Sequence, residues 1–287
     1  MPDTAATPDP IVTATIQRNA PVGFLLARPS YFAVEYEINP YMHLEVQADR
    51  ARAITQWETF RDRLAATGAE VIVQEPIEGW PDLVFANNAG FVHGNRGIVS
   101  RFRHPEREGE APHDKATFEA LGLEAIVLPP EITAFEGAAD AVVFGDKLIV
   151  GHGPRSDEKA KHHIAELLGG IEIIDMPLID ERFYHLDLAF LRVSDEIALV
   201  SQVATTPEAF AEITAHVPDP IVLDLDDTLA FCANSVVVGT TIFMHVATPR
   251  VRAALEGRGY EVIEHDVSEF LKAGGSVGCM SLQLYGH

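Results

Sequence analysis

The feature that most constrains this chain is a repeat. Short apolar runs come in pairs, each pair split by a tight polar turn: 89–93 and 97–101, 141–144 and 148–150, 188–193 and 197–201, 235–238 and 242–245. Turn formers such as Gly94-Asn95, Gly145-Asp146, Ser194-Asp195 and Gly239-Thr240 sit at the tips, and β-branched residues fill the arms. Each pair therefore reads as a β-hairpin. Helix-like stretches at 48–66, 114–121, 158–168 and 249–257 lie between the hairpins, and further short strands follow at 70–74, 124–128, 172–176 and 261–265. The runs 23–27 and 278–284 can supply one more module between them. Four copies and a split fifth, at a period of roughly 45–50 residues, predict an α/β ring of ββαβ units, with an open α/β sheet as the alternative.

Composition narrows the partners. The 287 residues are 47% hydrophobic, enough for one large core. We expect a single domain over 13–287 behind a flexible, Pro- and Asp-rich leader at 1–12. Lys and Arg total 21 against 43 Asp and Glu, a formal charge of −22, which repels phosphate backbones and anionic lipid. No nucleic-acid or membrane partner is expected, and no apolar run reaches the roughly 18 residues of a membrane helix. The start, MPDTAATPDP, lacks the basic and apolar segments of a signal peptide, so a cytoplasmic protein is expected. Cys232 and Cys279 cannot make a disulfide framework. His104, His113, His162 and His163 show no metal-ligand spacing, so neither metal nor other cofactor is expected. A homo-oligomer is compatible with all of this.

In a ring of modules the residues just before each hairpin converge on the axis. Here they are Asn87-Asn88, Glu136 to Asp140, His185 to Asp187, Asn234-Ser235, and Cys279. A thiolate is a strong nucleophile, His185 can move protons, and a carboxylate such as Glu136 can orient the imidazole. Asp140 ranks below Glu136, because a strand-start carboxylate often bonds backbone. Asp187 then has no acid–base duty. Beside a thiol it would raise the thiol pKa unless the substrate were cationic, and a planar guanidinium or amidinium fits paired carboxylates or amides. Read singly, Cys279 is a packing residue, His185 a structural histidine and Asn87-Asn88 turn formers. The set as a whole and the flexible Gly274-Gly275-Ser276 before Cys279 favour chemistry.

The sequence resembles the guanidine-modifying enzyme superfamily of arginine deiminases, dimethylarginine dimethylaminohydrolases, amidinotransferases and arginine dihydrolases. The likeness is carried by EYEINPYM at 35–42, PDLVFANNAG at 81–90, FRHPER at 102–107, FEG at 135–137, YHLD at 184–187, NSVVVG at 234–239 and GGSVGC at 274–279. It implies a five-bladed α/β propeller (pentein fold) with pseudo-five-fold symmetry. It also implies Cys279 as nucleophile, His185 as general acid/base, Glu136 as its partner and Asp187 as a guanidinium carboxylate. Arg107 or Arg103 would grip the α-carboxylate of a small guanidino substrate. Asn88, where deiminases and dimethylaminohydrolases carry a carboxylate, is similar to the arginine dihydrolase branch, as is Asn39 in the 35–42 segment, a candidate lid. Gly278 departs from a Lys or Arg expected before the nucleophile, which leaves thiolate formation to the substrate and His185.

The resemblance thus implies an arginine dihydrolase giving ornithine, ammonia and carbon dioxide, with a dimethylarginine dimethylaminohydrolase as alternative. Two other classes compete. Asp224, Asp226 and Thr228 after an apolar run look like the nucleophile loop of a Mg²⁺-dependent phosphatase, but no later acidic metal pair follows. A non-catalytic binding protein would not need the complete Cys, His and carboxylate set.

Overall fold

The computed structural model describes residues 22–285; the leader expected at 1–12 lies outside them. Within that range the strands form five three-stranded sheets. In the first, Gly90–His93 and Arg96–Val99 make an antiparallel hairpin, and Glu124–Val127 pairs parallel to the middle strand. The second sheet (Ala141–Phe144, Lys147–His152, Glu172–Pro177), the third (Phe190–Arg192, Ile197–Ser201, Asp219–Leu223) and the fourth (Val236–Val238, Thr241–Met244, Glu261–Glu264) repeat this order. The fifth is shared by the two ends of the chain. Ser281–Tyr285 pairs antiparallel with Gly23–Ala27, which pairs parallel with Glu70–Gln74.

A parallel third strand requires a crossover, and each module uses a helix for it. The crossover helices are Ala111–Ala120, Ala160–Leu167, Pro207–His216, Pro249–Glu256 and Arg50–Ala66. Their starts are written in the sequence. Thr206 and Thr248 cap the two helices that begin with proline, accepting from Ala209 N and Val251 N, and Asp49 caps the last, accepting from Arg52 N. The helix and third strand of module three, 207–223, were not named from the sequence; prolines at 218 and 220 disguise the strand.

Packing closes the ring. Five hydrophobic clusters each join two consecutive sheets. Leu25 and Leu282 meet Val92 and Phe118; Phe91 and Ile98 meet Val150 and Ile164; Ile149 meets Phe190 and Val200. Leu199 and Ile221 meet Ile242 and Met244, and Val236 and Phe243 meet Phe24 and Trp57. The last cluster links module four to module five, so no sheet is left at an open end. The helix of each module sits in the cluster between its own sheet and the preceding one. Trp57, Phe60 and Leu64, fully buried on one face of Arg50–Ala66, each contribute on the order of 1.5–3 kcal/mol there. The open-sheet alternative is excluded by this closure. Among the described residues no helix is long and apolar enough to cross a membrane.

Candidate active site

Tight turns deliver the side chains. One-turn 3-10 helices at Ala86–Asn88, Gly137–Ala139 and Leu186–Leu188 lead into the first strands of modules one to three. Phe231, with φ of 61°, turns the chain into module four. Hydrogen bonds donated by backbone N–H groups lace these inner ends together. Asn87 N donates to Cys279 O (3.0 Å), Gly278 N to Asn234 O (3.3 Å) and Leu186 N to Asp140 Oδ1 (3.0 Å). The pseudo-symmetry therefore places residues far apart in sequence on one axis.

One half of the site is fully partnered. Glu136 is completely buried. Its Oε2 lies 2.9 Å from His185 Nε2 and accepts from Arg155 Nη1 at 2.9 Å, while Oε1 accepts from Arg103 N at 3.2 Å. Burial alone would raise its pKa, but Arg155 and His185 outweigh it and hold the carboxyl well below the usual range. Asp140 lies 3.9 Å from His185 Nε2 and accepts from Ser156 Oγ (2.6 Å) as well as Leu186 N. Burial raises its pKa to about 6. Tyr184 stacks beside both partners: its ring is 4.8 Å from the Arg155 guanidinium and from the His185 ring, and its hydroxyl donates to Gly274 O at 2.8 Å.

The other half is unfinished. Cys279 Sγ accepts from Asn234 Nδ2 (3.0 Å) and donates to Asp187 Oδ2 (3.4 Å), which also accepts from Asn87 Nδ2 (2.9 Å). Asn234 Oδ1 in turn holds Cys279 N at 3.0 Å and Ser276 N at 3.2 Å. Asp187 Oδ1 and Asn88 Nδ2 are buried without a partner. Burial raises the Asp187 pKa to about 7, and burial followed by the Asp187 charge pushes the Cys279 thiol well above its ordinary value. Gly278 carries no cation for a steric reason as well. A Cβ there would stand 2.9 Å from Asn234 C and 3.0 Å from Ser235 N.

A third group of residues closes the pocket. Arg107, buried beside Asn88, donates to both Glu110 carboxylate oxygens (2.9 and 2.7 Å), to Asn88 Oδ1 (3.1 Å) and to Asp82 O (3.1 Å). Burial opposes its charge, but Glu110 outweighs this and keeps it protonated. Asp82 lines the same pocket with Oδ1 unpartnered, and burial raises its pKa. Arg155 Nη2 donates to Ile38 O (2.9 Å) and Asn39 Nδ2 to Ala273 O (3.0 Å), which ties the 35–42 segment across the opening. Arg103 points elsewhere. Its Nη2 pairs with Asp157 (2.8 Å) and its Nε with Arg155 O (3.2 Å), because it precedes the helical turn at Pro105 that swings Arg107 inward.

Of the residues expected from sequence, Cys279, His185, Glu136, Asp187, Asn88, Asn39 and Arg107 are brought together, and Arg103 is left outside the pocket. Asp82, Arg155 and Tyr184 were missed as site residues. The phosphatase-like run is a helix start: Asp224 and Asp227 form a capping box, and Asp227 also accepts from Thr248 and pairs with Arg250. Of metal-like groups among the described residues, His152, Glu158 and Asp175 cluster, but Lys161 already sits on Glu158 (3.0 Å) and Asp175 (2.8 Å) where a cation would bind.

The model of eukaryotic N,N-dimethylarginine dimethylhydrolase matches residues 28–285. The chain belongs to the dimethylarginine dimethylaminohydrolase family. A family member from Mycobacterium tuberculosis named N(G),N(G)-dimethylarginine dimethylaminohydrolase is 34% identical over 91% of this chain and 85% of its own. The bifunctional arginine dihydrolase/ornithine cyclodeaminase AgrE of Nostoc is 36% identical over 92% of this chain, which spans only 38% of that protein. Among solved structures, the N-terminal domain of ArgZ, described as an arginine dihydrolase from the ornithine–ammonia cycle in cyanobacteria, was crystallised bound to substrate. It superposes with a TM-score of 0.87 at 35% identity, covering 92% of this chain and 98% of that one. These likenesses bear out the family and the α/β fold expected from the sequence.

Proposed function

We propose that the protein hydrolyses the guanidinium group of L-arginine twice, giving ornithine, two ammonia and carbon dioxide and consuming two waters. The observation that carries this reading is Asn88: a buried amide with a free Nδ2, held by Arg107 in the pocket that Cys279 lines, while Asp187, bonded to Cys279, keeps one oxygen free. A guanidinium donates and never accepts, so Asp187 suits it; the ureido group formed after one hydrolysis has a carbonyl that must accept, and Asn88 Nδ2 can donate to it. The amino-acid head is served by the other end of the pocket. Asp82 suits an α-ammonium, and the unused N–H groups of Arg155 and Arg107 suit an α-carboxylate.

In the first cycle the guanidinium pairs with Asp187, which ionises the carboxyl and compensates its negative charge, the charge that otherwise opposes thiolate formation. Sγ of Cys279 gives its proton to His185 as it bonds to the guanidinium carbon, and the imidazolium returns that proton to the amine as its C–N bond breaks. The imidazolium is steadied by Glu136. His185 then takes a proton from water, whose oxygen bonds to the same carbon as the C–S bond breaks. A second cycle on the ureido group, held by Asn88, releases the second ammonia and a carbamate that loses carbon dioxide. A cytoplasmic setting belongs to the same reading, and two free cysteines suit it.

The family model and the Mycobacterium tuberculosis relative favour a second reading, dimethyl-L-arginine cleaved once to citrulline and dimethylamine. Purified protein incubated with each substrate decides between them. Ornithine with two ammonia per arginine is expected. Citrulline with dimethylamine, and no ornithine, would overturn it in favour of the second reading.

A further inference from the structure

The nucleophile is approached from two sides. The pocket just described lies on one side of Cys279. On the other, the ring encloses a cavity of about 350 Å³ along its axis, walled by every module through residues such as Asn87, Val143, Asp187, Asn234, Val237 and Gln283. The two spaces share no lining residue. Neighbours in sequence face opposite ways: Asn88 lines the substrate pocket and Asn87 the axial cavity, Cys279 the pocket and Gly278 the cavity. The partition is one residue thick, made of Asp187 with its bonds to Asn87 and Cys279.

The substrate side is closed over the reacting groups. Cys279, His185 and Glu136 are 4%, 2% and 0% exposed, and the 35–42 segment is tied over them. Two waters must nevertheless reach the reacting carbon per arginine, and two ammonia must leave. The axial cavity could hold about ten waters at roughly 30 Å³ each. Its walls offer amides and a carboxylate to them, and it opens at an Arg192–Asp195 pair (2.7 Å) among the hairpin turns.

We propose that the axial cavity is a second route to the nucleophile, carrying water inward and ammonia outward, with the Asn87–Asp187 hydrogen bond as its inner gate. This rests on the hydrolase reading above. Asn87 acts through Asp187 and is a positioning residue.

Val143 lies on the cavity wall away from the reacting groups, and Val143→Trp fills the space. The expected result is a steady-state rate of ammonia release lower by about tenfold (about 1.4 kcal/mol), and a covalent adduct on Cys279 that accumulates in intact-protein mass spectra. Val143→Ile, which adds one methylene, leaves the rate unchanged. If Val143→Trp does not fold, Val237→Trp blocks the same cavity from the next wall but one. A folded, blocked variant that turns over at the parent rate with no adduct overturns the route. A parent that hydrolyses neither substrate contradicts the functional reading instead, and the route is then read by iodoacetamide alkylation of Cys279. Asn87→Ala speeds that alkylation and adding Val143→Trp removes the gain; rates indifferent to Val143→Trp overturn the proposal.

Discussion

The two halves of the site, both buried, meet at the substrate pocket but are built on opposite principles. Around His185 every charge has its counter-charge in the free protein: Glu136 is held by Arg155 and the imidazole, and Arg155 by Glu136, a backbone carbonyl and the face of Tyr184. Around Cys279 the charge-bearing group is the Asp187 carboxylate, and it meets the Asn87 amide and the Cys279 thiol, with one oxygen unpartnered. The first half is finished by folding. On the reading proposed above the second is left for a cation to finish, and that couples activation of the thiol to arrival of the substrate. A side chain cannot take the cation's place at 278, where the Asn234 backbone leaves no space for a Cβ.

The sharpest way to break this contrast is to remove one carboxylate from each half. Glu136→Gln should lower kcat by about 10²- to 10⁴-fold, as expected when a general acid/base loses its partner. It should also destabilise the fold by about 3–5 kcal/mol, because it strands the buried Arg155 charge. Both are read by steady-state kinetics and denaturant unfolding. A variant as stable as the parent would show that the His185 half is not held by charge pairing.

A second prediction concerns product rather than rate. Asn88→Asp keeps a guanidinium partner but loses the donor to a ureido carbonyl. It should stop after one hydrolysis and release citrulline from arginine, shifting the ornithine-to-citrulline ratio by about tenfold or more, the scale of one hydrogen bond to a buried group. The same product ratio as the parent would remove Asn88 from the explanation.

Third, Asp187→Asn should abolish turnover yet stabilise the fold above neutral pH, and the change in stability is the smaller effect. The sign follows from linkage. The folded pKa of Asp187 is raised to about 7, against about 4 unfolded. Its contribution to stability is therefore full below about pH 4 and is lost as pH rises to about 7. That loss is about 2–4 kcal/mol. Glu136 runs the other way: its depressed folded pKa contributes stability above about pH 4.3 that disappears only as acid protonates it. Thermal melts of parent and Asp187→Asn at pH 5 and pH 8 separate the two. The difference in Tm should grow with pH.

Much of this was legible in the sequence. The hairpin period gave the modules, and with them the rule that residues before each first strand converge; Cys279, His185, Glu136, Asp187 and Asn88 all follow from it. What was missed lies outside the period. Arg155 sits in the loop after the second strand of module two, where no repeat marks it, and the burial of Asp82 arises only when Arg107 and Tyr36 fold over it. Arg103 and Arg107, four residues apart, were indistinguishable until the turn starting at Pro105 set which one faces inward and pairs with Glu110 three residues on. The strand at Asp219–Leu223 was hidden because its edge position tolerates Pro220.

The direct test of the unfinished half is proton release on substrate binding. Cys279→Ser, which should bind L-arginine without turning it over, is titrated calorimetrically in buffers of different ionisation enthalpy. With Asp187 titrating near 7 in the free protein, about half a proton should leave per arginine bound at pH 7, and more at pH 6. No proton release at either pH would mean that Asp187 is already ionised before the cation arrives, and would contradict a site that its substrate completes.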